Sequence, residues 1–127
     1  MSPLALLLIT KIGVTALTVS LPFLLLSPAR IVELSGFRSD PPVFYRLYGW
    51  AILALLVGYA GGLVEVQRGS FPWGVVVMGL VSNGGAATIL ITSGAAAGQR
   101  ALTAFFASIT AGLLVAAASP EWAIAPL

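Results

Sequence analysis

Four long apolar runs, about 4–26, 44–66, 72–94 and 101–119, leave this chain few folds to choose from. At a rise of ~1.5 Å per residue each is long enough to cross a ~30 Å hydrocarbon layer as a helix. Barrel strands would be about 10 residues long and would alternate in polarity, which these runs do not. The predicted fold class is all-α: an integral membrane four-helix bundle, with residues 1–127 forming a single transmembrane domain. Composition agrees, since 59% of residues are hydrophobic and 8% charged, against about 25% charged in soluble domains. The first run lacks a basic leader and is longer than a signal-peptide core, so it reads as a retained helix.

Punctuation marks the ends of these helices. Pro3 and Pro72 suit a first helical turn, Ser70 is the expected cap of the third span, and Pro120 closes the fourth. Pro22 falls inside the first span, where it frees a carbonyl and is expected to bend the helix. Between the first two spans, Ser27 to Gly36 reads as a short interfacial helix with a serine cap and a glycine stop, Ile31 and Leu34 inward, and Arg30 and Glu33 one turn apart. Arg38 to Pro42 forms the one real loop.

Basic residues favour the connections on one side of the membrane. Arg30, Arg38 and Arg46 flank the first connection and Arg100 the third, whereas Arg68 is alone in the second. Both termini are then expected on the non-cytoplasmic side. The four arginines should gather at headgroup level, where they contact anionic lipid or a partner. Phe44, Tyr45, Tyr48 and Trp50 at one boundary, and Phe71, Trp73 and Trp122 at the other, read as anchoring belts.

Polar residues inside the spans are the candidates for function. Lys11 lies only ~6 Å from the bilayer centre, where a charge must be paired, hydrated or snorkelled. Glu65, ~15 Å from the centre of an antiparallel neighbour, lies on the side toward which the amine snorkels. Asn83 sits mid-span beside Ser82 and before Gly84 and Gly85. It serves either an opened turn lining a substrate path or a cross-helix hydrogen bond to Thr15, Thr18 or Ser108. Small residues fall at helical spacing: Ala54, Gly58 and Gly61 before Glu65, with Gly62 beside them; Gly79, Asn83 and Ala86; Ala104, Ser108 and Ala111. Such stripes are the usual contact faces of membrane helices, within a bundle or between subunits.

The chain has no Cys and no His, so neither thiolate nor imidazole offers itself to a metal or haem, and no cofactor is expected. A net charge of +2 spread along the chain does not suggest nucleic-acid binding. No nucleophile with an adjacent base, no carboxylate pair and no phosphate-cradling glycine loop is recognisable, and enzyme activity is not expected.

From Leu26 to Gly62, Pro28, Arg30 and Gly36 are followed by Arg46, Leu47, Tyr48 and Gly49 opening an apolar, glycine-containing helix. This stretch resembles the DoxX-like group of small bacterial four-helix membrane proteins. The resemblance implies four spans and, as for some members, association with membrane redox enzymes; it transfers no catalytic residue. Small multidrug exporters share the size but work through an acidic residue in the first helix, where this chain has Lys11. The Asn-rich and Thr-Thr-Phe-Ser signatures of fluoride channels are absent. The expected function is that of a non-catalytic accessory or assembly subunit in a bacterial inner membrane, its partners being the bilayer and other subunits or itself. The alternative is a small oligomeric transporter or lipid-handling protein using Lys11, Glu65 and Asn83.

Overall fold

Ser2 starts the first helix: its Oγ accepts from the Ala5 amide at 3.2 Å, and Pro3 occupies the first turn, where its missing N–H costs nothing. The structure, a computed structural model, describes all residues from Met1 to Leu127 and contains helices and no strands. We label the helices α1 (Pro3–Leu25), α2 (Pro28–Ser35), α3 (Val43–Gln67), α4 (Trp73–Thr92), α5 (Arg100–Ala118) and α6 (Pro120–Ile124). Helices α1, α3, α4 and α5 are each long and apolar enough to cross a membrane, and their bounds fall within about two residues of the sequence reading.

Pro22 is accommodated in a way the sequence does not spell out. Residues Ala16–Ser20 form a π turn, in which the Leu21 amide reaches five residues back to the Ala16 carbonyl. The widened turn takes up the register change that a proline without an N–H imposes on an α-helix. In the same stretch the Thr18 hydroxyl donates to the Val14 carbonyl at 2.7 Å.

Several ends differ from expectation. The short helix α2 is capped as read, with the Ser27 Oγ accepting from the Arg30 amide and Gly36 at φ 75° after its last turn. Ile31 is buried against the chain, and Leu34 is 66% exposed. Ser70 does not cap α4, whose N-cap is Pro72. Instead Gly69, at φ 75°, ends α3: its amide donates to the Val66 carbonyl and the Ser70 amide to that of Glu65, both at 3.0 Å. This is a Schellman stop, which needs the left-handed conformation glycine adopts without strain. Pro120 not only ends α5 but opens α6.

The chain divides into two compact units, one of Met1–Ile9 with Gly61–Leu127 and one of Thr10–Ala60. In the first unit α4 buries Val76, Gly79, Asn83, Ala87 and Leu90, and α5 buries Ile109, Leu113 and Ala116; both are i, i+3 or i+4 stripes. The turn from α3 into α4 is tightest at Gly62, where an added Cβ would lie 2.9 Å from Val75 Cγ1 and 3.1 Å from its Cβ and Cγ2. Gly62→Val is therefore expected to destabilise the protein by about 1–3 kcal/mol through overpacking. Val75→Ala should restore most of the thermal midpoint in mild detergent, because the obstacle is a side chain that can be removed.

Candidate functional site

In the unit 10–60, the end of α1 and the start of α3 are locked together by a small set of residues. Arg46, on the first turn of α3, sends its guanidinium to the last carbonyls of α1, donating to Phe23 O and Leu26 O at 2.7 Å each. Those carbonyls have no intrahelical donor, and a planar fork with charge satisfies two at once. One turn further on, Ser20 Oγ donates to the Gly49 carbonyl at 3.2 Å. Gly49 lets the backbones approach: a Cβ there would meet Phe23 Cβ and Leu24 Cγ at 3.0 Å and the Leu24 amide nitrogen at 3.2 Å. The Phe23 ring lies edge-on to Tyr45 and Tyr48, with centroids 5.8 and 5.4 Å away. The Tyr45 hydroxyl donates to Phe37 O at 2.9 Å and accepts from the Ser39 amide at 2.7 Å, tying down the loop before α3.

The four arginines expected at headgroup level therefore have different roles. Arg46 is engaged by its own chain. Arg30 pairs with Glu33 at 3.0 Å, with both side chains more than 60% exposed, a geometry that contributes little to stability. Arg38 and Arg100 are exposed. Among the aromatic residues read as anchors, Tyr45 is buried and holds the loop, whereas Trp50, Trp73 and Trp122 are 68%, 53% and 55% exposed.

The buried stripe of α1 changes character along its length. Leu4 and Leu8 are followed on the same face by Lys11, Thr15 and, past the π turn, Ser20, which are 5%, 4% and 0% exposed. Lys11 is thus enclosed by protein rather than extended along an outer surface. Thr15 Oγ1, one turn beyond it, is buried without a hydrogen-bond partner. The pairings of Ser20 with Gly49 and of Arg46 with Phe23 make α1 and α3 antiparallel here. Counting ~1.5 Å per residue from the Ser20–Gly49 contact, Lys11 lies at the level of Gly58 and Tyr59. Tyr59 is 1% exposed.

In the other unit Asn83 is 1% exposed, and its Nδ2 donates to the Gly79 carbonyl at 2.8 Å and to Ser82 Oγ at 3.3 Å. These bonds run back along its own helix. Helix α4 is continuous through Asn83, Gly84 and Gly85, so the opened turn considered from sequence is not formed. Glu65 is exposed on the last turn of α3 and makes no ion pair with any residue of the chain. Of the three polar residues singled out by sequence, Lys11 and Asn83 are buried and Glu65 lies on the surface.

The glycines expected at helix contacts also divide. Gly62 and Gly79 are buried and Gly58 half-buried. A Cβ on Gly84 would meet Thr110 Cγ2 at an ordinary 3.5 Å, and Gly61 and Gly85 have nothing within 4 Å. The close approaches fall at Gly62, one of the expected residues, and at Gly49 and Gly112, where a Cβ on Gly112 would lie 3.1 Å from both Leu7 methyl groups. On α5, Ala104, Ser108 and Ala111 all face outward. No known family, curated protein or solved structure matches this chain.

Beyond these residues, a shallow apolar groove runs along the 1–9/61–127 unit, lined by Leu4, Leu7, Gly112, Val115 and Trp122. Nothing in it is arranged for chemistry. The arginine joint of 10–60 holds two helices together and presents no reactive group. What the arrangement offers is a hydrogen-bonded joint between two helices, a buried polar stripe on α1, and outward faces of small residues.

Proposed function

We propose that this chain is a multi-pass integral membrane four-helix bundle that acts as a non-catalytic accessory or assembly subunit of a larger membrane complex. The observation that carries the reading is the outward stripe Ala104, Ser108 and Ala111 on α5. Lipid tails are as apolar as leucine, so burying hydrophobic surface does not drive membrane helices together, and close backbone approach over small residues does. A face of that kind turned away from its own chain is suited to a partner's helix. The four apolar lengths support insertion, and the arginine distribution supports termini on the non-cytoplasmic side. A bacterial inner membrane, and the likeness to the DoxX-like group with its redox-enzyme partners, belong to the same proposal.

A second reading is favoured by the burial of Lys11 and Asn83. Buried ionisable and amide groups at membrane depth are often functional, and they suit a small oligomeric transporter or a protein that handles lipids. Extraction from native membranes in mild detergent, followed by native-mass separation, separates the two readings. Migration with a defined larger assembly is the expected result. If the chain instead runs alone or as a small homo-oligomer, the accessory reading fails, and Lys11→Ala should then abolish transport without lowering abundance.

A further inference from the structure

Helix α3 carries an outward face that its own chain leaves uncovered. Ala54, Gly58, Gly61, Glu65 and Arg68 recur at i, i+4, i+7, i+11 and i+14, so they line one side of the helix and of the turn that follows it. All but the half-buried Gly58 are exposed, and nothing lies within 4 Å of a Cβ on Gly61. What this face fits is indicated by the charges at its end. Glu65 and Arg68 are opposite in sign and one turn apart, and neither makes an ion pair within the chain. Arg30 and Glu33, at the same spacing on α2, do pair, at 3.0 Å.

We propose that this face of α3 is the contact between two parallel copies of the chain. Copies inserted in the same direction are related by a two-fold axis along the membrane normal. An isologous contact of that kind sets each residue i against j of the partner and j against i. A face bearing one acid and one base at nearly the same level complements itself under that operation, with Glu65 of each copy meeting Arg68 of the other. An uncharged or single-sign end would not choose a second copy over any other helix. Crossing at Gly58 and Gly61 allows the close approach of small-residue dimers. Glu65 and Arg68 then lie about 6 and 10 Å beyond Gly61 along the axis, near enough to the crossing for long side chains to bridge the diverging helices. The dimer is compatible with either function proposed above. It rests only on the membrane-spanning reading, which fixes both copies in one direction.

The chain has no Cys, so single cysteines report this contact without background. In membranes carrying the full chain, Ala54→Cys and Gly61→Cys should form disulfide-linked dimers under mild oxidation, because a disulfide needs Cα atoms about 4.4–6.8 Å apart. Ile89→Cys on α4, 66% exposed, should give at least tenfold less. In the Gly61→Cys chain, Glu65→Arg or Arg68→Glu alone should lower the linked fraction about tenfold, since the symmetry counts each repulsion twice. The double reversal should restore it. Equal linking at Gly61 and Ile89, no linking at either stripe position, or no response to the single reversals would each overturn the dimer. Release of the chain from the membrane fraction by alkaline carbonate would instead overturn the membrane-spanning reading, a separate failure.

Discussion

Gly49→Val is expected to lower the thermal midpoint more than Gly62→Val does. Glycine inside a helix normally costs about 1 kcal/mol relative to alanine, so replacing it ordinarily stabilises. Gly85, with nothing within 4 Å of its Cβ position, should follow that rule. Gly49 should reverse it, because the first added carbon already lies 3.0 Å from Phe23 Cβ and 3.2 Å from the Leu24 amide nitrogen. A crowded side chain can choose another rotamer, but a backbone amide cannot. The two helices must separate, and separation also lengthens the Ser20 hydrogen bond to the Gly49 carbonyl. Overpacking alone costs about 1–3 kcal/mol, and the lost hydrogen bond adds roughly 1 kcal/mol. The comparison to make is the detergent melting midpoint of Gly49→Ala, Gly49→Val and Gly85→Ala. A rise for Gly49→Ala would mean that the joint yields and the close approach is not required.

Gly49 also shows how far the sequence could be read. The four long apolar helices are legible because length and apolarity alone decide whether a helix could cross a membrane, and no partner residue enters that judgement. The ends of α2 were legible for a similar reason: Ser27 and Gly36 act on amides and carbonyls within one turn. The direction each face turns was not. In a helix with a polar side that side identifies the outside, whereas helices as uniformly apolar as these four carry little such signal. The stripes Ala54–Gly61 and Ala104–Ala111 were therefore recognisable as contact faces, while the contacts they serve were not. Gly49 was visible only as part of the Arg46-Leu47-Tyr48-Gly49 stretch, since the atoms that require a glycine there belong to Phe23 and Leu24. Pro22 announced a disturbance in α1 without saying that it takes the form of a π turn. Gly69 was missed in favour of Ser70 because a serine before a proline suggests a cap, although a left-handed glycine closing the preceding helix accounts for the same residues. Among the candidate site residues, the rarity of charge and amide in apolar stretches draws notice to Lys11 and Asn83, both of which are buried. Thr15 drew less because its hydroxyl ordinarily bonds its own helix, as Thr18, Thr88 and Thr110 do.

Arg46→Ala is expected to be the most damaging change of a charged residue. The guanidinium makes two charge-assisted bonds of 2.7 Å to carbonyls that close α1, 20 and 23 residues earlier in the chain. Removing it leaves Phe23 O and Leu26 O without that donor, and bonds to charged groups contribute about 1.5–3 kcal/mol each. Because Arg46 is only partly buried, water or headgroups recover part of this, and a net loss of about 3 kcal/mol is the expected outcome. Arg46→Lys should recover less than half, since an ammonium is a point donor on a flexible stem and the two carbonyls call for a fork. A headgroup-binding role makes the opposite prediction: lysine would then substitute well, and the midpoint would follow anionic lipid content more than the identity of residue 46. Melting midpoints of the three proteins in neutral detergent and in anionic-lipid nanodiscs separate the cases. A large gap between arginine and lysine in both media assigns Arg46 to the joint, and a gap that closes in anionic lipid would return it to the membrane surface.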